Sequence, residues 1–555
     1  MQRCKSLAKA IKSRRAPPWP SSPTKDLPGR EVADELVDCY LRTVETVHRI
    51  LHIPSFRRDY EALWTPASEP DMAFLVQLKL VFAIGATTYD EQFSLRTSAI
   101  RWVYEAQTWI SEPEFKARLG IQFLQINVLL LLARELVGVG GDSVWVSAGA
   151  LLRRAVSMGL HRDPAHLPKS TIFATEMRRR LWNTILEVVL QSSLTSGGPP
   201  LVSLDDFDAQ PPRNLDDEQL VADNPVPKPA SQFTQATVAI ALRATFPLRL
   251  AVTKFLNDLS AHGTYEETLR LDAQLRAAYR ALRRSLRGGH GSNTGLAPSA
   301  FALRAVDFLI NRYLSALHVP FFALAALEPA YAFSRAVVLE ASLKIWCAAC
   351  PASTALPTQP RSNSESESAS NSDITASLHD ALPRLVACGS GYYRTAAMQA
   401  ALLVAIELKT ALEEEDEGLG PVRLRPDLLA VLADAEAWCL RCVEIGETNV
   451  KGYVLVCVVT ALIRGLSARL GRNEIHALLV KAMRNAAAAC VPLLEGMAAR
   501  GWGEESVGEA QQMALGETSV LDDWDKLMAD SLFEPEGLEP MNWIFGETPQ
   551  GTAAW

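Results

Sequence analysis

Long proline-free segments rich in alanine and leucine follow one another through most of the chain, and they constrain its fold more than any other feature. Apolar residues recur in them at steps of three and four, which places these residues on one face of a helix. Alanine and leucine also have high helix propensity. No convincing run of alternating strands with hairpin turns is present. The sequence therefore predicts an all-α fold, with helices over Phe74–Ala86, Ser94–Trp109, Ile121–Val137, Val144–Met158, Glu176–Leu194, Ala236–Leu259, Glu266–Leu286, Ala300–Leu317, Tyr331–Ala349, Tyr392–Leu412, Pro426–Ile445, Gly452–Leu470 and Glu474–Ala499.

The two ends of the chain differ from this helical body in composition. Residues 1–30 carry eight basic residues against one acid, with five prolines among serines, and we expect a basic, disordered head there. Residues 503–555 carry twelve acids against one lysine. The prediction is a large multi-helix body over 31–500, a disordered Ser/Pro/Glu-rich loop over 351–377 and an acidic tail over 501–555.

One more helix is predicted at the start of the body. Apolar residues between Val32 and Leu51 recur at three- and four-residue steps, so they share one helical face. We expect Pro54 to end this helix, because proline disfavours helical geometry in the residue that precedes it.

The composition excludes several classes of protein. Hydrophobic residues make up 48% and charged residues 21%, enough to bury a sizeable core, so the chain is neither wholly disordered nor fibrous. No apolar run reaches the eighteen or so residues of a membrane span, and we expect no membrane contact. No apolar region of a secretory signal follows the basic start. Nine cysteines are too few for a disulfide scaffold, which favours the cytosol or the nucleus.

The motif His161-Arg162-Asp163 begins like the catalytic loop of a kinase. That loop also needs an asparagine for magnesium, a glycine-rich phosphate cover and an Asp-Phe-Gly segment, and the sequence supplies none of them in place. A Gly-x-Ser-x-Gly elbow and a Walker loop are missing as well. Nothing gathers a nucleophile, a base and oxyanion donors, so we expect that the chain is not an enzyme.

Two cysteine pairs and one histidine pair have the spacing of metal ligands. His48 and His52 stand four residues apart, but Arg49 replaces the glutamate of an HExxH site and no third ligand is evident. The cysteine pairs lie in apolar helical segments, where cysteine is an ordinary small hydrophobic residue. We expect core packing there and no cofactor in this chain; the pairs are Cys347/Cys350 and Cys439/Cys442.

The residues from Trp145 to Asn214 carry the most informative pattern. A helix face ends at Met158, and Gly159 offers a left-handed stop after which the chain folds back. Glu176 then opens a second helix and can pair with Arg180 one turn later. The pattern consists of Met158, Gly159, Leu160, His161, Arg162 and Asp163, then Glu176, Arg178, Arg179, Arg180, Leu181 and Trp182, then Gly198, Pro199, Asp206, Asp208, Pro212 and Asn214.

This ordered pattern resembles the regulatory domain, or middle homology region, of fungal zinc-cluster transcription factors. Similar pieces at His52–Phe56, Gln125 and Leu317–Phe321 extend the likeness over about residues 31–470. The resemblance implies a nuclear transcriptional regulator that controls a metabolic or secondary-metabolite gene set through its helical regulatory domain and acidic tail. It implies DNA as a partner, directly or through a zinc-cluster protein, with a coactivator, a small-molecule effector and a second copy as further candidates.

The likeness breaks down at the head. Family members usually carry an N-terminal cluster of six cysteines that binds zinc and places a helix in the major groove, whereas only Cys4 lies in residues 1–30. Three alternatives remain. Either a zinc-binding cluster was lost from the gene model, or the chain is a coregulator or effector-binding scaffold of a zinc-cluster partner, or the head contacts DNA through phosphate alone. Lys12, Arg14 and Arg15 fit nuclear import or phosphate contact.

Aromatic side chains are spaced through the acidic tail. Acidic neighbours keep such aromatics solvated and available to a coactivator groove, on which the segment can fold as a short helix. The alternatives are a tail that docks back on the body and a tail without a partner. The residues of the predicted activation segment are Trp524, Phe533, Trp543 and Phe545.

Overall fold

The computed structural model describes residues 1–65, 70–112, 120–140, 144–166, 171–222, 224–258, 264–287, 297–351, 381–416 and 424–499. Over these residues the fold is all-α, as predicted, and none of them lies in a β-strand. The acidic tail and the Ser/Pro/Glu-rich loop, apart from its first residue, lie outside the described residues.

The helices begin and end close to where the apolar periodicity places them. Helix α7 has the predicted bounds, whereas three short helices, α1, α4 and α14, were not predicted. In chain order the helices are α1 (Gln2–Arg15), α2 (Arg30–Arg42), α3 (Val44–Val47), α4 (Ile53–Ala62), α5 (Met72–Tyr89), α6 (Arg96–Ser111), α7 (Ile121–Val137), α8 (Val144–Ser157), α9 (Ile172–Ser196), α10 (Thr237–Leu256), α11 (Tyr265–Arg287), α12 (Ala300–His318), α13 (Ala332–Ala349), α14 (Ala381–Cys388), α15 (Tyr392–Asp416), α16 (Pro426–Glu444), α17 (Lys451–Ser467) and α18 (Arg472–Ala499).

The chain divides into two compact units. The smaller unit contains Met1–Arg15 and the described residues from Met398 onward, and the larger unit contains the described residues from Ala16 to Ala397. The division therefore falls within α15.

Helix α5 is the central helix of one half of the larger unit. It packs against α2, α6 and α7, and every residue from Phe74 to Thr88 is buried. A Cβ atom at Gly85 would lie only 2.2 Å from the carbonyl oxygen of Leu36, so glycine is what lets α2 approach this closely. In the other half, α9 packs against α8 and α10, α10 packs against α11, and α12 packs against α13.

The smaller unit contains a helix where the sequence predicted a disordered head. Residues 2–15 form α1, which packs along α18. Cys4 and Ile11 are buried, and Arg15 donates from Nη1 to the carbonyl oxygen of Gly446 at 2.7 Å. Prolines are confined to the residues that follow α1, so nothing in 2–15 prevents a helix once α18 covers its apolar side.

The proline-rich remainder of the head, residues 16–29, has no helix, and it is held in place on the larger unit. Thr24 is its anchor, because its carbonyl oxygen accepts a hydrogen bond from Lys79 Nζ at 2.6 Å and its amide donates to Glu105. Lys79 and Glu105 are both buried and form an ion pair of 2.6 Å. A disordered segment was predicted here, whereas in the structure Thr24 is held by the buried side chains of Lys79 and Glu105.

The predicted helix from Val32 to Leu51 is broken, and Pro54 does not end it. Helix α2 ends at Arg42, where the Thr43 hydroxyl donates to the carbonyl oxygen of Cys39 at 2.5 Å, and α3 adds one turn. Pro54 instead lies in the first turn of α4, where the missing amide proton is not needed for helix hydrogen bonds.

Three helices are longer and more apolar than the sequence analysis allowed. By length and composition α5, residues 392–414 of α15, and α18 could each cross a membrane. In α5, 83% of the apolar window is buried inside the protein, and its one lysine is ion-paired there, so packing within the larger unit accounts for its apolar character.

Candidate functional site

Helix α9 is the element that gathers the residues of the sequence pattern. The Thr171 hydroxyl caps it by accepting from the amide of Ala174 at 3.2 Å, and Gly197 ends it with a positive φ of 69°. Neighbouring elements cover almost the whole helix, so its charged residues are buried along with the apolar ones. The buried charged side chains are Glu176, Arg179, Arg180 and Glu187.

Arg179 joins the start of α9 to the turn after α8. Its Nε and Nη2 atoms donate to the two oxygens of Asp163 at 3.0 and 2.8 Å, and Nη1 donates to Glu176 at 3.0 Å. Asp163 also accepts from the backbone amides of Ala165 and Gln210. Burial alone would raise the pKa of Asp163, but these hydrogen bonds lower it to about 2. The carboxylate is therefore a structural acceptor.

The same junction fastens the loop that follows α9. Glu176 accepts from the amide of Arg213 at 2.9 Å, and the carbonyl oxygen of His161 accepts from the amides of Asp208 and Ala209. The Asp208 carboxylate in turn accepts from the amide of Asp163 at 2.6 Å. These hydrogen bonds join the turn after α8 and the start of α9 to residues 208–213. The predicted pair between Glu176 and Arg180 is wrong, because Arg179 takes that place.

Arg180 instead reaches a buried carboxylate from another part of the chain. Its Nη1 and the Nη2 of Arg49 both donate to the same oxygen of Asp217 at 2.5 Å. The other Asp217 oxygen accepts from the amide of Ile53 at 2.8 Å. Burial favours the neutral acid, but the two guanidinium groups lower the pKa of Asp217 to about 2. One carboxylate thereby links α9 to the segment between α3 and α4.

Glu45 supplies a second negative charge next to Arg49. It lies 3.5 Å from Arg49 and accepts from the Tyr40 hydroxyl at 2.6 Å and from the amides of Ile50 and Leu51. Burial is the largest influence and raises the pKa of Glu45 to about 7, although Arg49 and these hydrogen bonds oppose it.

Glu187 forms the last buried pair of α9, three turns beyond Glu176. Arg249 of α10 binds it with two hydrogen bonds of 2.6 and 2.7 Å and lies over the ring of Tyr313. Arg249 also donates to the Thr245 hydroxyl and the carbonyl oxygen of Leu242, so most of its donors are satisfied. Charges of opposite sign recur along α9, and each binds a different element of the larger unit.

The remaining residues of the pattern pack or cap. Trp182 is buried against Phe207 with ring centroids 5.6 Å apart, and Arg178 donates to the carbonyl oxygen of Met158 at 2.9 Å. Gly159 has a positive φ of 73°, as the predicted stop requires. The side chain of Arg162 is exposed. The others lie at the turn after α8, on α9 or after its end: Leu160, His161, Leu181, Gly198 and Pro199.

The other predicted site residues are separate from this junction. Lys12 and Arg14 are exposed on α1 in the smaller unit, while Arg15 is partly buried and bonded to backbone there. Arg14 donates to the carbonyl oxygen of Ala498 at 3.0 Å. The aromatic residues of the predicted activation segment lie outside the described residues: Trp524, Phe533, Trp543 and Phe545.

The geometry of the junction supports structure rather than catalysis. The carboxylates of Asp163, Glu176, Glu187 and Asp217 are buried and paired with arginine, and Asp163 belongs to the kinase-like motif. The exposed Asp208 accepts from the amide of Asp163. Among the residues that the structure describes, no three His, Cys, Asp or Glu side chains are grouped to hold a metal ion. A surface groove of about 840 Å³ borders the junction, between the starts of α4 and α9, residues 220–222 and Asn224.

Sequence reasoning found Asp163, Glu176, Arg179 and Arg180, but missed the buried charges that other segments supply. Arg49 was noted only as a departure from a zinc motif, and Asp217, Glu187 and Arg249 were not noted at all. A signal did exist, since Glu187 and Arg249 interrupt apolar helical segments, where an unpaired charge would be costly. Glu187 and Arg249 are 62 positions apart in sequence, so no local pattern identifies them as a pair.

The junction lies in a region with a recognisable family match. Residues 37–246, from α2 to α10, match the model of the Fungal specific transcription factor domain. The larger unit carries a fungal transcription factor domain. The buried charges of α9 and their partners up to residue 217 all lie inside the matched residues, and Arg249 follows just after them.

The chain is also similar to named fungal regulators of transcription. The chain is 38% identical over 353 residues to Transcription factor lepE of Aspergillus flavus, covering 62% of this chain and 42% of the relative. It is 31% identical over 546 residues to Transcription factor opdR of Penicillium oxalicum, covering 94% and 65%. The Aspyridones cluster regulator apdR of Emericella nidulans is 27% identical over 418 residues, covering 73% and 54%. The chain thus spans between two fifths and two thirds of these relatives. No solved structure matches it.

Proposed function

We propose that the chain is a transcriptional regulator of a fungal metabolic or secondary-metabolite gene set. The observation that carries the proposal is the family match over residues 37–246, whose junction residues are interlocked by buried ion pairs. The names of the relatives point the same way, because two are transcription factors and one is the regulator of a biosynthetic cluster. The proposal assigns no catalytic reaction and places the chain in the nucleus.

In this proposal the α9 junction is the rigid frame of the regulatory domain. Buried ion pairs hold the α8 turn, the loop around 208–217 and the segment before α4 on one helix. Interactions of this kind specify one arrangement of chain segments more than they add stability. A frame with fixed loops suits a protein that presents surfaces to other macromolecules.

The first test is activation by the tethered chain. We would fuse residues 1–555 to an unrelated sequence-specific DNA-binding domain and measure a reporter gene in a fungal host. Transcription above that of the DNA-binding domain alone supports the proposal, and activation should be lost when residues 501–555 are removed. A full chain with no effect on transcription, either up or down, would contradict it.

The aromatic residues of the tail are the proposed contacts to a coactivator. The variant Trp524→Ala/Phe533→Ala/Trp543→Ala/Phe545→Ala should lose activation, because the apolar contacts are removed while every acidic charge is kept. The matched control, Gln511→Ala/Gln512→Ala/Thr518→Ala/Ser519→Ala, changes four other tail residues and should keep activation. Equal activity of the two variants would assign activation to the acidic charge alone.

How the chain reaches DNA is a separate part of the proposal. It acts either directly or through a zinc-cluster partner, in which case zinc belongs to that partner or to residues beyond this sequence. Selection of the purified chain on a library of random DNA duplexes separates these routes. Enrichment of one sequence motif indicates direct reading, and the absence of enrichment indicates a partner that reads the DNA.

An effector and a second copy are the remaining proposed partners. A metabolite of the regulated pathway that binds the larger unit should raise its melting temperature, because a ligand that binds only the folded state stabilises it. Light scattering of the purified chain reports a dimer. A monomer that is unaffected by pathway metabolites would remove both partners from the proposal.

A further inference from the structure

Helix α11 has one face that consists of exposed arginines. Arg280, Arg283, Arg284 and Arg287 follow one another at spacings of three, one and three residues, so they share one side of the helix. All four side chains are exposed to solvent. The apolar residues between them, Leu282 and Leu286, are buried on the opposite side. We call these four residues the arginine face.

Carboxylates neutralise several other exposed arginines of the larger unit, but not this face. Arg30 pairs with Glu61, Arg42 with Glu35, Arg57 with Asp38 and Arg58 with Asp59. The first half of α11 follows the same rule, because Arg270 pairs with Glu267 and Arg276 with Asp272. With the residues that the structure describes, the arginine face forms no ion pair. No acidic residue occurs between Ala273 and Arg287.

The one carboxylate bonded next to the face is already engaged. Asp307 of α12 accepts from the Tyr279 hydroxyl at 2.5 Å, which fixes the orientation of the Tyr279 ring. Arg283 lies over that ring, 5.6 Å from its centroid. An aromatic support of this kind positions a guanidinium group while leaving its N–H donors directed outward.

We propose that the arginine face binds the phosphate backbone of duplex DNA. The rise from Arg280 to Arg287 is about 10 Å, and phosphates along one strand follow one another about every 3.4 Å of the duplex axis, so the row spans about three such intervals, or about four phosphates. Guanidinium groups bind phosphate oxygens in pairs, which suits arginine better than lysine. Phosphate contacts carry no sequence information, so binding through them should show no sequence preference.

This inference rests on the proposed function, because a regulator of transcription works next to DNA. It deepens that proposal by assigning non-specific DNA affinity to the larger unit and not to the basic head. The arginines also stabilise the C-terminal end of α11 through the helix dipole. That role would require only the residues of the last turn, whereas the row reaches back over two turns.

The test compares salt dependence in the full-length chain and a variant. Fluorescence anisotropy of a labelled 30-base-pair duplex of random sequence measures binding between 50 and 200 mM NaCl. Four phosphate contacts predict a loss of affinity on the order of 100-fold over this range, from a slope of about 0.9 per contact. The variant Arg280→Gln/Arg283→Gln/Arg284→Gln/Arg287→Gln should lower the slope by about 3.6.

A matched control removes the same charge from paired arginines. Arg30→Gln/Arg42→Gln/Arg57→Gln/Arg58→Gln also deletes four exposed guanidinium groups, so net charge alone would affect both variants equally. We expect the control to keep the original slope. Circular dichroism should show that both variants retain their helices.

Three outcomes would overturn the inference. The first is no DNA binding by the full chain, and the second is an equal slope for variant and control. The third is a fourfold glutamine variant that no longer binds labelled polyglutamate, a second probe, but binds DNA as the full chain does. That outcome would assign the face to an acidic protein segment. None of these affects the tethered reporter, so failure here and failure of the proposed function are distinguishable.

Discussion

Helices α9 and α11 both carry rows of arginine, yet the two rows have opposite surroundings. On α9, Arg179 and Arg180 are buried and each binds a carboxylate that another segment supplies. On α11 the four arginines of the arginine face are exposed, and no described carboxylate pairs with them. Both rows stand out in the sequence as clustered arginines. What differs is whether a distant segment brings a counter-charge, which makes one row a structural joint and the other a surface for a partner.

The largest expected effect comes from removing the carboxylate that two buried arginines share. Asp217→Asn leaves Arg49 and Arg180 without their common counter-charge, which should lower the free energy of unfolding by about 3–5 kcal/mol. Urea denaturation followed by circular dichroism measures the loss. The exposed control Asp59→Asn, which breaks the surface pair with Arg58, should change stability by less than about 1 kcal/mol. Equal losses for the two variants would end the distinction between buried and exposed rows.

Variants of Glu187 and Arg249 test whether the loss of stability comes from leaving one buried charge without its partner. Glu187→Leu or Arg249→Met alone strands one charge in the core and should cost about 3–5 kcal/mol. The double variant removes both charges and should recover much of that loss, since apolar side chains of similar volume pack without desolvation cost. A double-mutant cycle on denaturation free energies gives the coupling. A double variant as unstable as the sum of the singles would refute the pairing.

Acid should weaken the α9 row at a pH set by Asp217. Its pKa is about 2 in the folded chain and near 4 in the unfolded chain, so the unfolded state takes up the proton first as the pH falls. The stabilisation is therefore complete above about pH 4 and lost toward pH 2. The stability difference between the native chain and Asp217→Asn should shrink by about 2–3 kcal/mol over that window. Denaturation at pH 5, 4, 3 and 2 measures it, and a constant difference would contradict the assignment.

A smaller loss of stability is expected when one neutral partner of the buried ion pair between Lys79 and Glu105 is removed. Thr24→Val removes the hydroxyl that Lys79 and Glu105 both contact, but keeps the carbonyl oxygen of residue 24 and the ion pair. The loss should be about 1–2 kcal/mol, the typical value for one buried hydrogen-bonding group. Thr65→Val, which removes an exposed hydroxyl bonded to Ala62, serves as the control and should be nearly neutral. The denaturation midpoint distinguishes the two.

The smallest change in stability should come from the arginine face itself. Its fourfold glutamine variant breaks no ion pair with a described residue, and only the residues near the end of α11 interact favourably with the helix dipole. The loss should stay below about 1–2 kcal/mol, while the salt dependence of DNA binding changes. A loss as large as that of Asp217→Asn would show that the face is a structural joint like α9.

The sequence predicted the long helices well and the junction only in part. Apolar periodicity located α5 to α13 and α15 to α18 because each depends mainly on its own buried face. The helix α1 was missed because its partner, α18, lies more than 450 positions later in the chain. The break at Thr43 was missed because it depends on a single hydrogen bond from the Thr43 hydroxyl to the backbone. Motif likeness found Asp163, Glu176 and Arg180, but their distant partners, among them Asp217, require the folded chain.

The ion pairs of α9 also bear on how the chain is made. The helix leaves the ribosome before Asp217 and Arg249 have emerged, so Arg180 and Glu187 emerge without their counter-charges. Burying either one early would strand a charge, and we expect α9 to stay unpacked until α10 has followed it. Nascent chains with between 196 and 249 residues outside the ribosome should therefore expose the apolar surface of α9 and engage chaperones, whereas chains from which α10 has emerged can close the domain.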